Sequence, residues 1–316
     1  MPFPNEDRRN RPTLLLVVNP RATRVGRRLT ARVRAALDVR FDVEVVVTAG
    51  PGHVTALCRS SAPGFAAVAA LGGDGTLNEA ANGLAGGAVP LACLPGGLTN
   101  VFARSIGVGR DPVAAARRLA HRDARVRSID LGSISGRAFL FGSGLGLSAA
   151  LTHHQARGPR GPAQLVEAWA MCSAARAVGA QLRRSPPRLR VTSGERTLEG
   201  STLVVQNADR LTYLRTRPLR VCEGAGFSTR SLSMAVLRGA RPGDVAGLLP
   251  RVLSGDPAAV VAHPLIDSLP DVASARVEVL DGASMALQAD GEYLGEHTSA
   301  EYRVRPDALR VLIGGI

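Results

Sequence analysis

Short apolar runs alternate with segments of helical spacing over the first 126 residues of the chain. Near-continuous apolar runs are typical of strands buried in a parallel sheet, and apolar residues three or four positions apart are typical of amphipathic helices. Their repeated alternation predicts a doubly wound parallel sheet of the α/β class. The predicted strands are Thr13 to Val18, Phe41 to Val47, Phe65 to Leu71 and Val89 to Leu94, and the predicted helices are Arg27 to Leu37, His53 to Ser60 and Asn78 to Leu84.

Near Val126 the pattern changes to short strand-like stretches separated by turns, which predicts a mostly β, sandwich-like or barrel-like second domain. We therefore expect an α/β domain over residues 12–126, a β-rich domain over 127–300 and a C-terminal segment, 301–316, whose strand can return to either domain. The predicted strands are Val126 to Leu131, Ala138 to Phe141, Leu189 to Thr192, Thr202 to Gln206, Ser231 to Leu237, Arg276 to Leu280, Met285 to Ala289 and Leu309 to Ile313, with helices at Ala163 to Leu182 and Asp244 to Leu253.

A glycine-rich turn, Leu71 to Glu79, joins the third strand to the helix that follows it. Glycines bring main-chain N–H groups and a helix N-terminus close to phosphate oxygens, so the turn predicts a phosphorylated ligand. It lacks the lysine of a nucleotide phosphate loop and the glycine spacing of a dinucleotide site. Asp74 would repel phosphate unless Mg²⁺ lies between them or the carboxylate binds a ribose or a water. An ordinary Gly-Gly-Asp-Gly turn is the alternative.

Two further loops follow strands of the same predicted sheet, at Asn19-Pro20 and at Pro95-Gly96-Gly97. Ligands of doubly wound sheets bind at the carboxyl ends of the strands. We therefore expect the loops after Val18, Leu71 and Leu94 to share one edge.

The chain carries 39 basic and 26 acidic side chains, a formal net charge of +13. This balance favours contact with anionic surfaces, although an arginine-rich genome composition explains it equally well. The arginines are scattered and aromatic residues make up 3% of the chain, which argues against a specific nucleic-acid interface. The four dispersed cysteines look like reduced core thiols, and neither a leader nor a membrane span is recognisable. We expect a cytoplasmic protein that meets a membrane only from its side.

Five motifs follow one another along nearly the whole chain. They are Val18-Asn19-Pro20, Gly72 to Glu79, Leu94 to Arg104, Ile129 to Gly132 and Asp290-Gly291-Glu292. In their order and gaps they resemble the bacterial diacylglycerol kinase family of lipid kinases. The resemblance implies an α/β nucleotide-binding domain, a β-rich domain, and an active site in the cleft between them. It also implies transfer of the γ-phosphoryl group of ATP to a lipid hydroxyl with Mg²⁺.

The resemblance assigns roles to individual residues, matching the needs of phosphoryl transfer for charge neutralisation and a proton acceptor. Glu292 would be the general base, and Asp290 would brace its turn or assist the metal. Asp74 and Asp130 would organise Mg²⁺. The residues implied in binding ATP are Asn19, Arg24, Thr48, Gly72, Gly73, Asp74, Gly75, Thr76, Asn78, Glu79, Gly97, Thr99 and Asn100, with Arg21 and Arg27 as rivals of Arg24.

Several of these residues have simpler explanations. Arg24 lies in an arginine-rich stretch that is consistent with a solvated helix face. Asp130 is consistent with a turn acid at a strand end. The Asp290-Gly291 pair is a favoured two-residue hairpin turn. Apart from the adjacent pair His153-His154, whose side chains would not face one site on a helix, the six histidines show no ligand spacing, and we interpret them all as structural.

The chain departs from the family pattern at four places. Leu98 stands where the family has Thr, Val101 where it has Asp, and Ser148 where it has an acid. The Asp-Asp-Gly turn of a structural metal site is lost at Phe227 to Ser231, so we expect no structural metal there.

The sequence thus favours an ATP-dependent lipid kinase acting at the inner membrane surface. The departures motivate a second hypothesis, a nucleotide-binding regulatory protein with weakened catalysis. A third is a kinase of a soluble acceptor, because the phosphate turn also resembles that of NAD kinases. The sequence leaves self-association open.

Overall fold

The computed structural model describes residues 11–147, 149, 187–214, 216–239 and 242–315. The chain divides into two compact units, Met1–Ile129 with Ala308–Ile316, and Asp130–Asp307. The predicted helix at Ala163 to Leu182, and Ser148, lie outside the described residues.

The first unit contains a parallel sheet of the predicted α/β class. Its strands lie in the order β2, β1, β3, β4, and Val311 and Leu312 of a C-terminal strand pair in parallel with β4. The elements are β1 (Thr13–Val18), α1 (Arg27–Leu37), β2 (Asp42–Val47), α2 (His53–Ser61), β3 (Ala67–Gly72), α3 (Asp74–Leu84), β4 (Leu91–Pro95), α4 (Val101–Ser105) and α5 (Pro112–Leu119).

The central strands of this sheet are buried along nearly their whole length, as their apolar runs predict. Three helices differ from the prediction: α4 and α5 were not predicted, and α3 starts earlier than expected. Helix α3 begins at Asp74, four residues before the predicted start, because Gly73 is still extended and provides its N-cap. Helix α5 was not predicted, although Asp111 and Pro112 provide a recognisable start: the Asp111 carboxylate accepts the N–H groups of Val113 and Ala114.

The second unit is mostly antiparallel β structure, in agreement with the predicted β-rich region. One sheet has the order β14, β13, β10, β7, β16, β17, and another joins the start of β18 to β15, β8 and β9. The elements are β5 (Arg125–Ile134), β6 (Arg137–Phe139), β7 (Gly142–Leu145), β8 (Leu189–Ser193), β9 (Arg196–Gly200), β10 (Thr202–Gln206), β11 (Thr212–Leu214), β12 (Arg217–Leu219), β13 (Leu232–Leu237), α6 (Pro242–Ser254), α7 (Pro257–Val261), β14 (Ile266–Val272), β15 (Ser274–Val279), β16 (Met285–Ala289), β17 (Glu292–His297) and β18 (Ser299–Ile313).

Side chains from both of these sheets form one apolar core in the second unit. Phe139 and Tyr302 are fully buried there and pack edge to face, with ring centroids 6.2 Å apart. The Tyr302 hydroxyl lies 3.0 Å from Ser143 Oγ, which satisfies the buried polar group. This core supports β16, the strand that leads to the predicted catalytic turn, and β7, which pairs with β16. No helix among the described residues is long and apolar enough to cross a membrane.

Candidate active site

The loops that follow β1, β3 and β4 lie side by side at the carboxyl edge of the parallel sheet. Val18 pairs with Leu71, and Gly72 pairs with Pro95, so the three strands end in register. The Asn19 N–H donates to the Leu71 carbonyl over 3.0 Å. The expected common edge is therefore present in the first unit.

Hydrogen bonds fasten these loops to one another. The Asn19 side-chain amide donates to Thr76 Oγ1 over 2.9 Å and so joins the first loop to the start of α3. The Gly96 N–H donates to the Gly72 carbonyl over 2.7 Å, and the Arg24 N–H donates to the Gly96 carbonyl over 3.0 Å. The predicted nucleotide residues on these loops therefore form one connected cluster.

The glycines of the cluster serve two different purposes. A Cβ atom on Gly97 would lie 2.7 Å from the Cα atom of Gly73, so the close approach of these two loops requires glycine. A Cβ atom on Gly75 would meet nothing within 4 Å, and this residue is exposed at the first turn of α3. Packing within the protein therefore explains Gly97 but not Gly75.

The Asp74 carboxylate holds the start of α4. Its two oxygens accept the N–H groups of Val101 and Phe102, each over 3.0 Å, and it also receives a hydrogen bond from the Thr99 side chain. These bonds satisfy N–H groups that a helix N-terminus leaves unpaired. Burial raises the pKa of the Asp74 carboxyl, whereas the hydrogen bonds and the charge of Arg104 act in the opposite direction.

Asn100 closes the loop that precedes α4. It is fully buried and has a φ of 50°, in the left-handed region that Asn tolerates better than most residues. Its side chain accepts the Gly97 N–H and donates to the Gly97 carbonyl, each over 2.8 Å. Asn100 therefore fixes the loop with both ends of its amide, and Thr99 is left exposed beside it.

Glu79 of the predicted nucleotide set contacts a different part of the first unit. Its carboxylate accepts the N–H groups of Gly52 and Val54, over 3.0 and 3.2 Å, and so caps the start of α2. Asn78 is buried and accepts a bond from Asn82 over 3.1 Å within α3. These contacts make both residues supports of the helices in this structure.

Thr48 and Arg24 complete the predicted set in the first unit. The Thr48 N–H donates to the Val18 carbonyl over 2.9 Å, which places Thr48 beside the first loop. Arg24 is exposed, as are its rivals Arg21 and Arg27. The edge therefore carries positive charge next to the glycine loops.

The second unit contains the predicted Asp-Gly-Glu turn as a two-residue hairpin between β16 and β17. Ala289 pairs with Glu292, and Asp290 and Gly291 have φ values of 49° and 77°. Two positive φ angles are the signature of a type I′ turn, for which Asp-Gly is favoured. The turn places Glu292 at the first position of β17.

Asp290 anchors this turn to the chain between β6 and β7. Its buried carboxylate accepts the N–H groups of Leu140, Phe141 and Gly142 over 2.6, 2.9 and 3.2 Å. The Asp290 N–H donates in return to the Gly142 carbonyl over 2.7 Å. Asp290 therefore braces the turn from which Glu292 projects.

Glu292 and Arg137 form an ion pair within the second unit. The Arg137 guanidinium donates to the Glu292 carboxylate over 2.5 Å, and the two side chains are 38% and 52% exposed. The ion pair therefore holds the Glu292 carboxylate in place while about half of the side chain stays exposed, so that a substrate hydroxyl could come within hydrogen-bond reach. Sequence reasoning missed Arg137, because the two residues are separated by 155 positions.

Asp130 is fully buried and holds two distant segments of the second unit. Its carboxylate oxygens accept the N–H groups of Arg230, over 2.6 Å, and of Asp307, over 2.9 Å. The Asp130 N–H donates to the Phe227 carbonyl over 2.8 Å. The segment at which the family's metal turn is lost is thus tied to Asp130 by hydrogen bonds.

Asn207, a residue that sequence reasoning missed, connects Asp130 to the support of Asp290. Its side-chain amide donates to the carbonyls of Asp130 and Leu140, over 2.9 and 2.8 Å. Leu140 in turn donates its N–H to Asp290. The position of Asn207 directly after β10 was the only signal of its importance in the sequence.

The two carboxylates predicted to organise Mg²⁺, Asp74 and Asp130, both bond to the main chain in this structure. Each of them accepts two main-chain N–H groups, and Asp130 is shielded from solvent. Mg²⁺ prefers several oxygen ligands in octahedral geometry. Over the described ranges, no group of three or more His, Cys, Asp and Glu side chains could hold a metal ion. Asp74 and Asp130 thus position main-chain segments, and their role toward Mg²⁺ stays a prediction.

The chain is similar in sequence to known lipid kinases. Residues 13–134 match the family model described as the diacylglycerol kinase catalytic domain. The chain is 42% identical over 113 residues to the "Probable lipid kinase YegS-like" of Pseudomonas aeruginosa (strain UCBPP-PA14), covering 35% of this chain and 36% of that protein. It is 37% identical over 91 residues to the "Diacylglycerol kinase" of Bacillus subtilis (strain 168), covering 28% of this chain and 30% of that protein. The chain thus spans about a third of the length of these curated relatives.

Fold similarity extends further along the chain. The crystal structure of a diacylglycerol kinase from Bacillus anthracis str. Sterne matches with a TM-score of 0.67 and 19% sequence identity, covering 96% of this chain and 98% of that one. At this identity the likeness shows the fold alone. The resemblance predicted from the sequence motifs is confirmed over residues 13–134, which match the model of the diacylglycerol kinase catalytic domain.

Proposed function

We propose that this protein is an ATP-dependent lipid kinase that transfers the γ-phosphoryl group of ATP to a hydroxyl of diacylglycerol or a related lipid. The observation that carries the proposal is the kinase-domain match over residues 13–134, within which the glycine turn lies at the carboxyl edge of the sheet. The relatives' printed names, lipid kinase and diacylglycerol kinase, support a lipid acceptor.

In this proposal the first unit binds the triphosphate. Main-chain N–H groups at the start of α3 and the helix dipole favour phosphate oxygens, and Gly75 lets them approach because its surroundings are open. Arg24 neutralises phosphate charge, with Arg21 and Arg27 nearby in the sequence. Asp74, Asn100 and Gly97 hold the neighbouring loop in place. Mg²⁺ arrives as part of the MgATP substrate.

The second unit supplies the proton acceptor. Glu292 takes the proton of the lipid hydroxyl while the hydroxyl oxygen bonds to the γ-phosphorus. The bond between the γ-phosphorus and the β,γ-bridging oxygen breaks, leaving ADP and a phosphorylated lipid. Asp290 and Arg137 keep the Glu292 carboxylate in position. A net charge of +13 supports work at the inner face of an anionic membrane.

The test is transfer of labelled γ-phosphate by the full chain to diacylglycerol, a sphingoid base and phosphatidylglycerol, each in mixed micelles. We expect label in at least one lipid. ATP binding without label in any lipid would overturn the proposal and favour the regulatory protein. Label found only in a soluble acceptor such as NAD would favour the third hypothesis.

A further inference from the structure

A surface groove lies between α1 and α5 of the first unit and has a volume of about 520 Å³. We call it the α1–α5 groove. Its apolar lining is formed by Ala35, Ala36, Val39, Val113 and Ala120, and its volume is within the range of small-molecule sites. Val39 is 70% exposed, the largest exposed fraction among the large apolar side chains described.

The spacing of the two segments explains why a groove forms there. Arg32 and Ala36 lie at i and i+4 along α1 and so share one face, and Val39 lies in the turn that directly follows the helix. Val113 and Arg117 follow the same spacing on α5. The small alanine side chains leave space between the two segments, and the longer arginines rise beside it.

The charge of the groove is positive. Arg32 and Arg117 line it and are exposed, and the lining contains no carboxylate. Within the part of the chain that the structure describes, neither arginine forms an ion pair, whereas His121 at the same groove is paired with Asp123 over 3.1 Å. The apolar lining of the groove, beside the exposed guanidinium groups of Arg32 and Arg117, is complementary to an amphiphile with a negative headgroup.

We propose that the α1–α5 groove binds an anionic phospholipid of the membrane surface. Its acyl part packs on Val39 and the alanines, and its phosphate contacts Arg32 and Arg117. A second copy of the chain is a poor occupant, because a symmetric contact would bring the same arginines together. Ala36 lies about 14 Å along α1 from Arg27, so the groove is separate from the phosphate-loop edge. The proposal goes beyond the proposed kinase activity and does not depend on it.

Sedimentation with vesicles, in the absence of ATP, tests the charge component. Vesicles of phosphatidylcholine alone are compared with vesicles containing phosphatidylglycerol, for the full chain and for Arg117→Glu. Arg59→Glu is the matched control, because Arg59 is exposed on α2 and the change in charge is the same. We expect Arg117→Glu to weaken binding to the anionic vesicles about tenfold and Arg59→Glu to have little effect. Equal losses would show adsorption by net charge alone and would overturn the proposal.

Photo-crosslinking tests the position of the lipid. Phosphatidylglycerol with a diazirine on its acyl chain is irradiated in vesicles with the full chain, and the modified peptides are mapped. We expect modification of the peptides that contain Val39 and Arg117, and its loss in Val39→Asp, an exposed substitution whose folding is checked by circular dichroism. Modification confined to other peptides would overturn the proposal. So would a concentration-dependent dimer that Val39→Asp abolishes, because a second copy would then occupy the groove.

Discussion

The Arg137 guanidinium donates a hydrogen bond to the Glu292 carboxylate over 2.5 Å. Under the proposed function, this contact orients the general base at the end of its hairpin. Arg137→Gln removes the charge and the fixed fork of donors, and we expect kcat to fall about tenfold with the KM for ATP unchanged, because misplacing a catalytic group slows the chemical step. Steady-state kinetics with varied ATP at fixed lipid measure both constants.

Arg303→Gln provides the matched control for this experiment. Arg303 is 70% exposed on β18 and lies 3.8 Å from Glu301, a weaker pair of the same kind. We expect its kcat to remain that of the unmodified protein. A rise in the KM for ATP in Arg137→Gln, at unchanged kcat, would contradict the positioning role.

Asp290 is expected to stabilise the second unit as well as the turn. Asn keeps the side-chain shape and tolerates the positive φ, but its NH₂ group cannot accept the N–H bonds that the carboxylate receives. We expect Asp290→Asn to lower the free energy of unfolding by about 2 to 3 kcal/mol, since hydrogen bonds to a buried charge are lost. Urea unfolding followed by circular dichroism measures this change, and a loss below about 0.5 kcal/mol would show that the anchor is dispensable.

Gly75 and Gly97 are expected to respond in opposite ways to alanine. Gly75→Ala adds a methyl group in open space within a helix, so we expect stability to rise by up to about 1 kcal/mol while the KM for ATP rises about tenfold. Gly97→Ala forces a Cβ against Gly73, and we expect a loss of about 1 to 3 kcal/mol. Thermal unfolding and ATP kinetics on both variants distinguish the two effects. An unchanged KM in Gly75→Ala would remove this glycine from the nucleotide site.

Protonation of the Asp74 carboxyl is expected to make the stability of the folded protein depend on pH. Burial raises its pKa in the folded protein above the value of about 3.9 in the unfolded chain. The folded state therefore retains the Asp74 proton to higher pH than the unfolded chain does. The stabilisation that results from this stronger proton binding is complete below the unfolded pKa and is lost as the pH rises through the folded pKa. We expect the stability of the unmodified protein, relative to Asp74→Asn, to fall as the pH rises above about 4. An increase over that interval would show that the bonds from Val101 and Phe102 outweigh the burial.

Much of the fold could be predicted because its signals are local. The strand Thr13–Val18 and the helix Arg27–Leu37 have the bounds that their apolar patterns predict. A buried parallel strand is a continuous apolar run, and an amphipathic helix repeats within one or two turns, so neither needs information from distant residues. The hairpin at Asp290-Gly291, offered as the simpler explanation of this motif, could be inferred for the same reason, from a dipeptide whose two residues accept positive φ.

The partners of the site residues could not be predicted in this way. Asp74 is an acid in a glycine turn, and nothing local indicates that it accepts N–H groups from residues 27 and 28 positions away. Glu79 similarly caps a helix that precedes it by 25 positions. Such contacts depend on how the elements pack, so sequence motifs identified the residue types of the candidate site but not the bonds that hold them.

The proposal that Glu292 is the general base of a lipid kinase is tested by measuring phosphoryl transfer by Glu292→Gln, with Glu296→Gln as the matched control on the same strand. Glu296 is exposed and accepts a hydrogen bond from Tyr293 over 3.1 Å, so its substitution changes the same charge without removing the predicted base. For whichever lipid the full chain phosphorylates, we expect Glu292→Gln to lower kcat by roughly 10²- to 10⁴-fold, the usual contribution of a general base, and Glu296→Gln to retain activity. Equal rates for Glu292→Gln and the unmodified protein would show that Glu292 is not the general base.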